Sequence, residues 1–204
     1  MLSATSRAKA GRAFTLVELM IVVAIIGVLA ALAIYGVRRY LAAAKTAEAK
    51  DAIGAICRSA LSAYDREAPA AETLPEGMQS AKFAHQLCST APPVPNGGAP
   101  AGRKYQPAGA DGQDYHTGTD AEGWKCLRFE ITQPQYFQYA YTKDGSPMAP
   151  ANPAPCAQQC FEAGAHGDLD GDGDLSAFAR TGQVNTSTNA LKMATQIYIE
   201  NETE

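Results

Sequence analysis

The chain has 204 residues, of which 46% are hydrophobic and only 19% are charged. This length suits one or two modest domains with enough chain to bury a core, and the hydrophobic content argues against long-range disorder. The 17 basic and 21 acidic residues give a formal net charge of -4, which argues against a nucleic-acid binder with a dense basic surface. The mean hydropathy of -0.19 is ordinary for a soluble protein, but the apolar residues are unevenly distributed.

Most of the apolar surplus lies near the start of the chain. Residues 14–35 read FTLVELMIVVAIIGVLAALAIY, in which only Thr15 and Glu18 are strongly polar. A helix of this length covers about 33 Å, enough to cross the hydrocarbon core of a bilayer. Residues 1–13 form a leader with basic but no acidic residues. Because basic residues hold their end of a span in the cytoplasm, we expect the rest of the chain to lie across the membrane.

The pattern of residues 36–67 predicts that the helix continues and that this second half is amphipathic. From Arg38 to Glu67 there is no proline and alanine is frequent, which favours a helix. Apolar residues recur there at spacings of three and four, which indicates one buried stripe; it consists of Ile53, Ile56, Ala60 and Tyr64. The apolar run exceeds that of a secretory signal, and no small-residue cleavage site follows it. We therefore expect one helix from about Phe14 to about Arg66.

The remaining residues, 68–204, are rich in Pro and Gly as far as residue 123, which predicts loops and short elements. In WKCLRFEI the apolar Leu127, Phe129 and Ile131 alternate with other residues, a pattern that predicts a half-buried strand. A second predicted strand begins at Tyr136, so the two could form a tight hairpin or one bulged strand. Further predicted strands cover Phe161 to Ala165, Leu175 to Thr181 and Ile197 to Ile199.

Together these elements predict an α+β fold in which a long N-terminal helix packs on a small antiparallel sheet of four or five strands. A small sheet needs a cover on its apolar face, and the stripe on the second half of the helix would supply it. The predicted organisation is a leader (1–13), a transmembrane or filament-core half-helix (14–35), an amphipathic half-helix (36–67) and a Pro/Gly-rich loop with the sheet (68–204).

The N-terminal segment resembles that of the type IV pilins and pseudopilins over about the first 55 residues. The shared features are the short basic leader, Phe14 at the mature start, Glu18 as the fifth mature residue and an apolar helix with Gly27 in its middle. The sequence departs from the family pattern at Ala13, because Gly usually precedes the mature Phe. A cut after Gly11 would make Glu18 the seventh mature residue and break the motif.

This resemblance implies processing and assembly. A prepilin peptidase in the bacterial inner membrane would cut between Ala13 and Phe14 and methylate the new amine, and loss of the three basic leader residues would change the formal charge from -4 to -7. The chain would wait in membrane lipid until the pilus assembly machinery extracts it. Its helix would then pack against copies of itself or other pilins in an extracellular filament. Glu18 would pair with the amine of a neighbour's Phe14, since a lone acidic residue in an apolar span is costly.

The function implied by the resemblance is structural: a pilus subunit for adhesion, twitching motility or surface attachment. Two alternatives stay open, a minor tip pilin with a binding role and a pseudopilin of a type II secretion system. We expect no enzyme and no required cofactor, because His85, His116 and His166 share no recognisable spacing with a nucleophile and no phosphate-binding Gly loop is present. The aromatic residues of 124–141 are expected to form core.

An aspartate tract, DLDGDGD, places carboxylates at Asp168, Asp170, Asp172 and Asp174. Their spacing resembles the first half of an EF-hand loop, but Ala179 stands where that loop needs a bidentate Glu, and strands rather than helices flank the tract. A calcium loop of another shape and a plain Gly/Asp hairpin turn both suit the pattern. His166 is expected to be solvated rather than a ligand.

The five cysteines would lie largely outside the cytoplasm, where disulfides persist. Five cysteines allow 15 connectivities with two bonds. We expect Cys88 to pair with Cys126, which joins the Pro/Gly-rich loop to the first strand, and Cys156 to pair with Cys160 across a turn. Cys57 lies in the apolar stretch of the helix and is expected to be a small buried hydrophobe.

Overall fold

A computed structural model describes residues 14–66, 76, 85–146, 152–153 and 158–202. Helix α1 covers Leu16–Asp65, and the chain divides into two compact units, Met1–Leu41 and Ala42–Glu204. The second unit also holds a short 3-10 turn, Asp114–His116, and helix α2, Gly123–Leu127. Its strands are β1 (Ala91–Val94), β2 (Gln138–Lys143), β3 (Cys160–Gly167), β4 (Ser176–Asn185), β5 (Ala190–Met193) and β6 (Tyr198–Glu200).

The six strands form one antiparallel sheet. Its order is β1-β2-β3-β4-β5, and β6 pairs with β4 beside β5. The long strand β4 therefore pairs with both short strands along the same edge, with Ala177 opposite Glu200 of β6 and Asn185 opposite Ala190 of β5. The predicted α+β fold, a long helix with a small antiparallel sheet, is confirmed.

The second half of α1 covers the sheet as predicted. All four residues of the predicted stripe are buried, and they belong to one hydrophobic cluster with strand residues such as Tyr139, Phe161 and Phe178. Cys57 is fully buried in the same cluster, which confirms that prediction. Each side chain of this size removed from water contributes about 1.5–3 kcal/mol, so this stripe is a large part of what holds the helix on the sheet.

Three polar contacts show how α1 runs along β4. Lys50 forms an ion pair with Glu202, and Asn201 Nδ2 donates a hydrogen bond to the carbonyl oxygen of Leu175 at 3.5 Å. At the other end of β4, the Tyr64 hydroxyl donates to the carbonyl oxygen of Asn189 at 3.0 Å. Lys50 thus lies at the end of the domain where β4 begins, and Tyr64 lies at the end where β4 finishes.

The strand predicted for WKCLRFEI is wrong. Residues 123–127 form α2, which ends at Arg128 in the left-handed conformation (φ 54°), and residues 129–134 have no regular structure. Trp124 and Leu127 are three residues apart and both buried, a spacing that puts them on one face of a helical turn but on opposite faces of a strand. The left-handed residue then breaks the alternation, so neither the tight hairpin nor the bulged strand that the sequence allowed forms here.

The sheet has six strands rather than four or five because it includes two short strands that the sequence pattern does not predict. β1 reads APPV and, among the described strands, pairs with β2. Its two adjacent prolines are tolerated because β1 is an edge strand and its pairing with β2 is irregular between Ala91 and Val94. β5 follows a tight turn from β4, so β4 extends to Asn185, beyond the predicted end at Thr181. β2 begins at Gln138 rather than Tyr136, whose backbone N–H donates to Glu48 Oε1 at 2.9 Å instead.

The aromatic residues expected to form core do so. Trp124, Phe137, Tyr139 and Tyr141 are fully buried, and Phe129 and Tyr136 are partly buried against them. Most of their rings meet edge-on or tilted, as between Trp124 and Phe129 at 5.6 Å between centroids, while Tyr141 stacks on Phe161; aromatic pairs prefer such offset and edge-to-face arrangements. These side chains therefore pack the interior and are not a binding platform.

Candidate functional site

The start of α1 is closed by a reciprocal pair of side chains. The Glu18 backbone N–H donates to Thr15 Oγ1 at 3.3 Å, while Glu18 Oε2 accepts from the Thr15 backbone N–H at 2.9 Å and from its hydroxyl at 2.8 Å. This is a capping box, T-x-x-E, in which each side chain satisfies a backbone donor that the first turn leaves unpaired. Among the described contacts only Oε2 of Glu18 accepts hydrogen bonds, and Oε1 makes none.

The first part of α1 is apolar and exposed all round. Every residue from 14 to 41 is exposed, and Phe14 shows 87% of its surface. This part of the helix is long and apolar enough to cross a membrane by length and composition. Monomeric soluble proteins do not expose continuous apolar surfaces of this extent. The segment is therefore suited to lipid or to contact with other chains, and Glu18 is its one acidic residue.

This same segment is what the comparison with known families finds. Residues 9–34 match the family model described as the prokaryotic N-terminal methylation motif. The chain carries the signal of type IV pilins and pseudopilins. The motif supports a pilin or pseudopilin and points to a structural, non-enzymatic protein. With the exposed apolar helix it fits a pilin anchored in the inner membrane. No curated protein and no solved structure matches the chain.

Of the two predicted processing residues, Phe14 is the first residue that the structure describes, and Ala13 immediately precedes it. Phe14 is described, precedes the helix and is exposed. Ala13 lies outside the described residues, although the matched motif includes both. The cut between them and the methylation of Phe14 remain predictions.

The aspartate tract forms the turn between β3 and β4. Asp168 is buried at 4% exposure, and its carboxylate accepts the backbone N–H groups of Gly171 (2.6 Å) and Gly173 (3.2 Å). Its carbonyl oxygen accepts from Gly102 at 2.7 Å, which attaches the turn to the loop after β1. Asp172 in turn accepts from the backbone N–H of Asp174 at 2.8 Å. These are the local hydrogen bonds expected of a Gly/Asp turn.

The same turn brings three of the four predicted ligands together. Carboxylate oxygens of Asp168, Asp170 and Asp172 lie within 4.8 Å of one another. Calcium binds oxygens at 2.3–2.6 Å, so oxygens around one ion stand up to about 5 Å apart and this spacing suits it. Asp174 is not part of the group. Ala179 lies in β4 opposite Gly164 and, as its side chain already indicated, supplies no ligand.

The expectation that His166 is solvated is wrong, since its exposure is 5%. β3 continues to Gly167, beyond the predicted strand end at Ala165, and all eight of its residues are buried. His166 therefore lies inside the sheet, with Ala177 opposite it on β4 and Gln138 opposite it on β2. The other two histidines are nearer the surface, where His116 Nε2 lies 3.5 Å from Glu130.

The structure contains the Cys88–Cys126 disulfide, with the Cα atoms 5.8 Å apart. It joins the segment before β1 to α2, rather than to the strand that was expected there. Cys160 is fully buried at the start of β3, while Cys156 lies outside the described residues, so the pairing of these two stays a prediction.

One polar cluster had no signal in the sequence. Arg58 on α1 and Arg66, which directly follows α1, share a groove with Arg128, which follows α2. In the sequence Arg58 is one charge among many on the polar face of the helix. Only the folding of α2 against α1 brings a residue more than sixty positions away to the same place, which no local pattern could indicate.

Proposed function

We propose that this chain is a structural subunit of a type IV pilus-like filament. It is inserted in the inner membrane, cleaved before Phe14 and N-methylated by a prepilin peptidase, and then polymerised through its N-terminal helix. The observation that carries the proposal is the apolar stretch of residues 14–35, which is exposed along its whole length and overlaps the matched methylation motif at residues 9–34. A surface of this kind is stable only in lipid or among equivalent helices, and a pilin uses both in turn.

Glu18 supports the assembly step. A carboxylate in an apolar span costs about 2.5–3.5 kcal/mol on insertion scales, and an ion of opposite sign offsets that cost. In our proposal the amine of a neighbouring Phe14 approaches Glu18 Oε1, the oxygen that the capping box with Thr15 leaves without a bond. The capped geometry holds the carboxylate at the helix start, and the ion pair sets the register between subunits.

The proposed topology follows from the charge of the leader. Its basic residues stay in the cytoplasm, and the domain from residue 42 folds on the opposite side, where the Cys88–Cys126 disulfide is stable. The partners are the prepilin peptidase, the pilus assembly machinery, membrane lipid before assembly, and copies of this chain or other pilins afterwards. Adhesion, twitching motility and surface attachment are the proposed uses of the filament.

Two alternative functions involve the same processing and helix packing, but they differ in how abundant the chain is in filaments and in the effect of its deletion. A minor tip pilin with a binding role would occur only in traces in purified filaments. A pseudopilin would form a short periplasmic filament, and its deletion would impair type II secretion without loss of surface filaments. Quantifying the chain in sheared filaments, and secretion in a deletion strain, separates these from the major-subunit role.

The decisive experiment is intact-mass and peptide mass spectrometry of the protein from membranes and from filaments. We expect a chain that begins at N-methylated Phe14. A chain that still begins at Met1, or one cut at another bond such as that after Gly11, would refute the proposal. A Phe14→Ala variant would serve as a comparison for the methylation step.

We also propose that the β3–β4 turn binds calcium. The supporting observation is the group of three carboxylates, Asp168, Asp170 and Asp172, whose oxygens lie within 4.8 Å of one another. Four aspartates within seven residues repel one another unless a cation lies among them. Calcium accepts six to eight oxygens in flexible geometry, so water and backbone oxygens would complete the set. Thermal unfolding with calcium and with a chelator tests this proposal.

A further inference from the structure

A basic groove of about 340 Å³ lies between α1 and the residues that follow α2. Its polar lining consists of Arg58, Ser59, Ser62, Arg66 and Arg128. On α1, Ser62 lies four residues after Arg58 and three after Ser59, so these side chains share one face of the helix; Arg66 follows the helix directly. The groove lies at the end of the domain where Tyr64 contacts the β4–β5 turn. We call it the arginine groove.

The guanidinium groups of the arginine groove have no acidic partner among the described residues. None of Arg58, Arg66 and Arg128 has a carboxylate oxygen of the described chain within 4.0 Å. Arg66 Nη2 donates a hydrogen bond to the carbonyl oxygen of Cys126. Burial, and then the positive charge of Arg128, lower the pKa of Arg66, and Asp120 opposes this weakly. Like charges are thus held together in a concave site, which attracts an anion.

The backbone at Arg128 supports the same interpretation. Arg128 has a φ of 54° as the residue that ends α2, a left-handed conformation that glycine usually supplies and that strains other L-residues. The long cationic side chain is present there in spite of that strain. It completes the arginine groove from the side opposite α1.

A cluster of exposed acidic side chains lies at the other end of the domain. In the β3–β4 turn Asp170, Asp172 and Asp174 are exposed, and their described hydrogen bonds are to the backbone of the turn itself. The adjoining Leu175 contacts Asn201, next to the ion pair between Glu202 and Lys50. From Lys50 to Ser62, α1 rises by about 18 Å. The arginine groove and this acidic turn therefore do not meet within one chain.

We propose that the arginine groove of one subunit binds the β3–β4 acidic turn of the next subunit along the filament. The proposal rests on the proposed function, since it needs a filament of these chains. A contact between two different surfaces of the same chain is head-to-tail, and such contacts produce open helical assemblies when they do not close into a ring. A chain with a formal charge of -7 after loss of the leader also presents mainly acidic surface to its neighbours.

The contact is compatible with calcium in the turn. One divalent ion neutralises two of the four carboxylates, so the turn stays negative and the arginine groove still attracts it. Ionic contacts of this kind mainly set register and partner choice. The apolar helices supply most of the burial in the filament, and the head-to-tail contact positions the outer domains.

Charge reversal tests the contact in cells that express the full chain. Arg58→Glu with Arg128→Glu reverses the groove, and Asp170→Lys with Asp172→Lys reverses the turn; all four residues are exposed. Like charges across an interface cost several kcal/mol, so each pair of substitutions should lower the yield of sheared filaments by about tenfold or more. The four substitutions in one chain should restore most of the yield, because the two surfaces are complementary again.

A matched control uses Lys143→Glu with Lys192→Glu, two strand residues that do not line the groove. This control makes the same charge change and should assemble normally. Membrane levels of each variant and formation of its Cys88–Cys126 disulfide show whether the domain has folded. Charge-reversal variants that fold and assemble at the wild-type level would overturn the proposal. A chain with all four substitutions that folds but does not regain filament yield would also overturn it.

Cross-linking tests the geometry directly. A chain with Ser62→Cys and Asp172→Cys should give a ladder of disulfide-linked dimers, trimers and larger species from filaments, because each subunit then offers both halves of the bond. Ser62→Cys alone should give no ladder beyond a dimer. Filaments without a ladder would overturn the docking proposal alone, whereas a wild-type chain that forms no filament would overturn the proposed function.

Discussion

Removal of the Cys88–Cys126 disulfide should destabilise the outer domain by a predictable amount. The bond closes a loop with a sequence separation of 38. The chain-entropy relation for such a loop gives a loss of about 13 cal/mol/K in the unfolded state, or about 4 kcal/mol at 25 °C. For a domain of this size each kcal/mol moves Tm by roughly 2–4 °C, so we expect a fall of about 8–16 °C.

The variant is Cys88→Ala with Cys126→Ala, because both residues are buried, at 2% and 6% exposure, and alanine leaves no unsatisfied polar group. The assay is thermal unfolding of the full chain in detergent, followed by near-ultraviolet circular dichroism. Cys57→Ala is the control: that residue is also buried but is a free thiol, and the loss of one small side-chain group in the core costs about 1 kcal/mol. If the double variant loses no more stability than the control, the loop-closure reasoning is wrong.

The same bond reports on topology. Disulfides persist outside the cytoplasm and are rare within it, so rapid alkylation of intact cells should find Cys88 and Cys126 protected and Cys57 revealed as a thiol only after unfolding. Reduced Cys88 and Cys126 in a folded, membrane-inserted chain would contradict the proposed placement of the domain.

Three further predictions concern acidic groups. Glu18→Ala should insert in the membrane normally yet yield few filaments, measured by shearing, and normal yield would remove its pairing role. Burial raises the pKa of Glu162 above its ordinary value of 4.5, against weaker opposing hydrogen bonds from Asn152 and Ser146. The folded state therefore holds that proton more tightly than the unfolded state, and stability should fall as the pH rises from about 4.5 through the raised pKa. Glu162→Gln should flatten that part of a Tm-against-pH curve. An unchanged slope would mean that other groups cause the pH dependence. Calcium should raise the Tm of the full chain in detergent, a chelator should reverse this rise, and Asp168→Asn should abolish it. If calcium does not shift the Tm, the β3–β4 turn is a plain hairpin turn that binds no calcium.

The parts of this fold that could be predicted are those in which a periodic pattern of apolar residues continues over many residues. The stripe of Ile53, Ile56, Ala60 and Tyr64 repeats over three turns of α1, and the apolar run before it needs no partner to be recognised. Short segments are different: the alternation of Leu127, Phe129 and Ile131 suggests a strand, whereas Trp124 and Leu127, three residues apart, fit one helical turn. β1 carries two prolines, which indicate a loop unless one knows that the strand lies at an edge.

The candidate sites divide in the same way. The methylation motif is contiguous in sequence and the aspartate tract is a single turn, so both could be found before the structure. The burial of His166 depends on how far β3 extends, and the arginine groove depends on α2 folding against α1. Both depend on contacts between distant parts of the chain, and neither composition nor residue spacing indicates such contacts.

The capping box has a consequence for the order of events at the membrane. Phe14 and Thr15 precede the first helical residue, Leu16, and both capping side chains belong to the part of the chain that survives the cut. Proteolysis at the proposed bond before Phe14 would therefore leave both capping side chains, Thr15 and Glu18, in the mature chain. In the proposed scheme the precursor and the mature chain can share this helix start, and removal of the leader would act through the new amine that it creates.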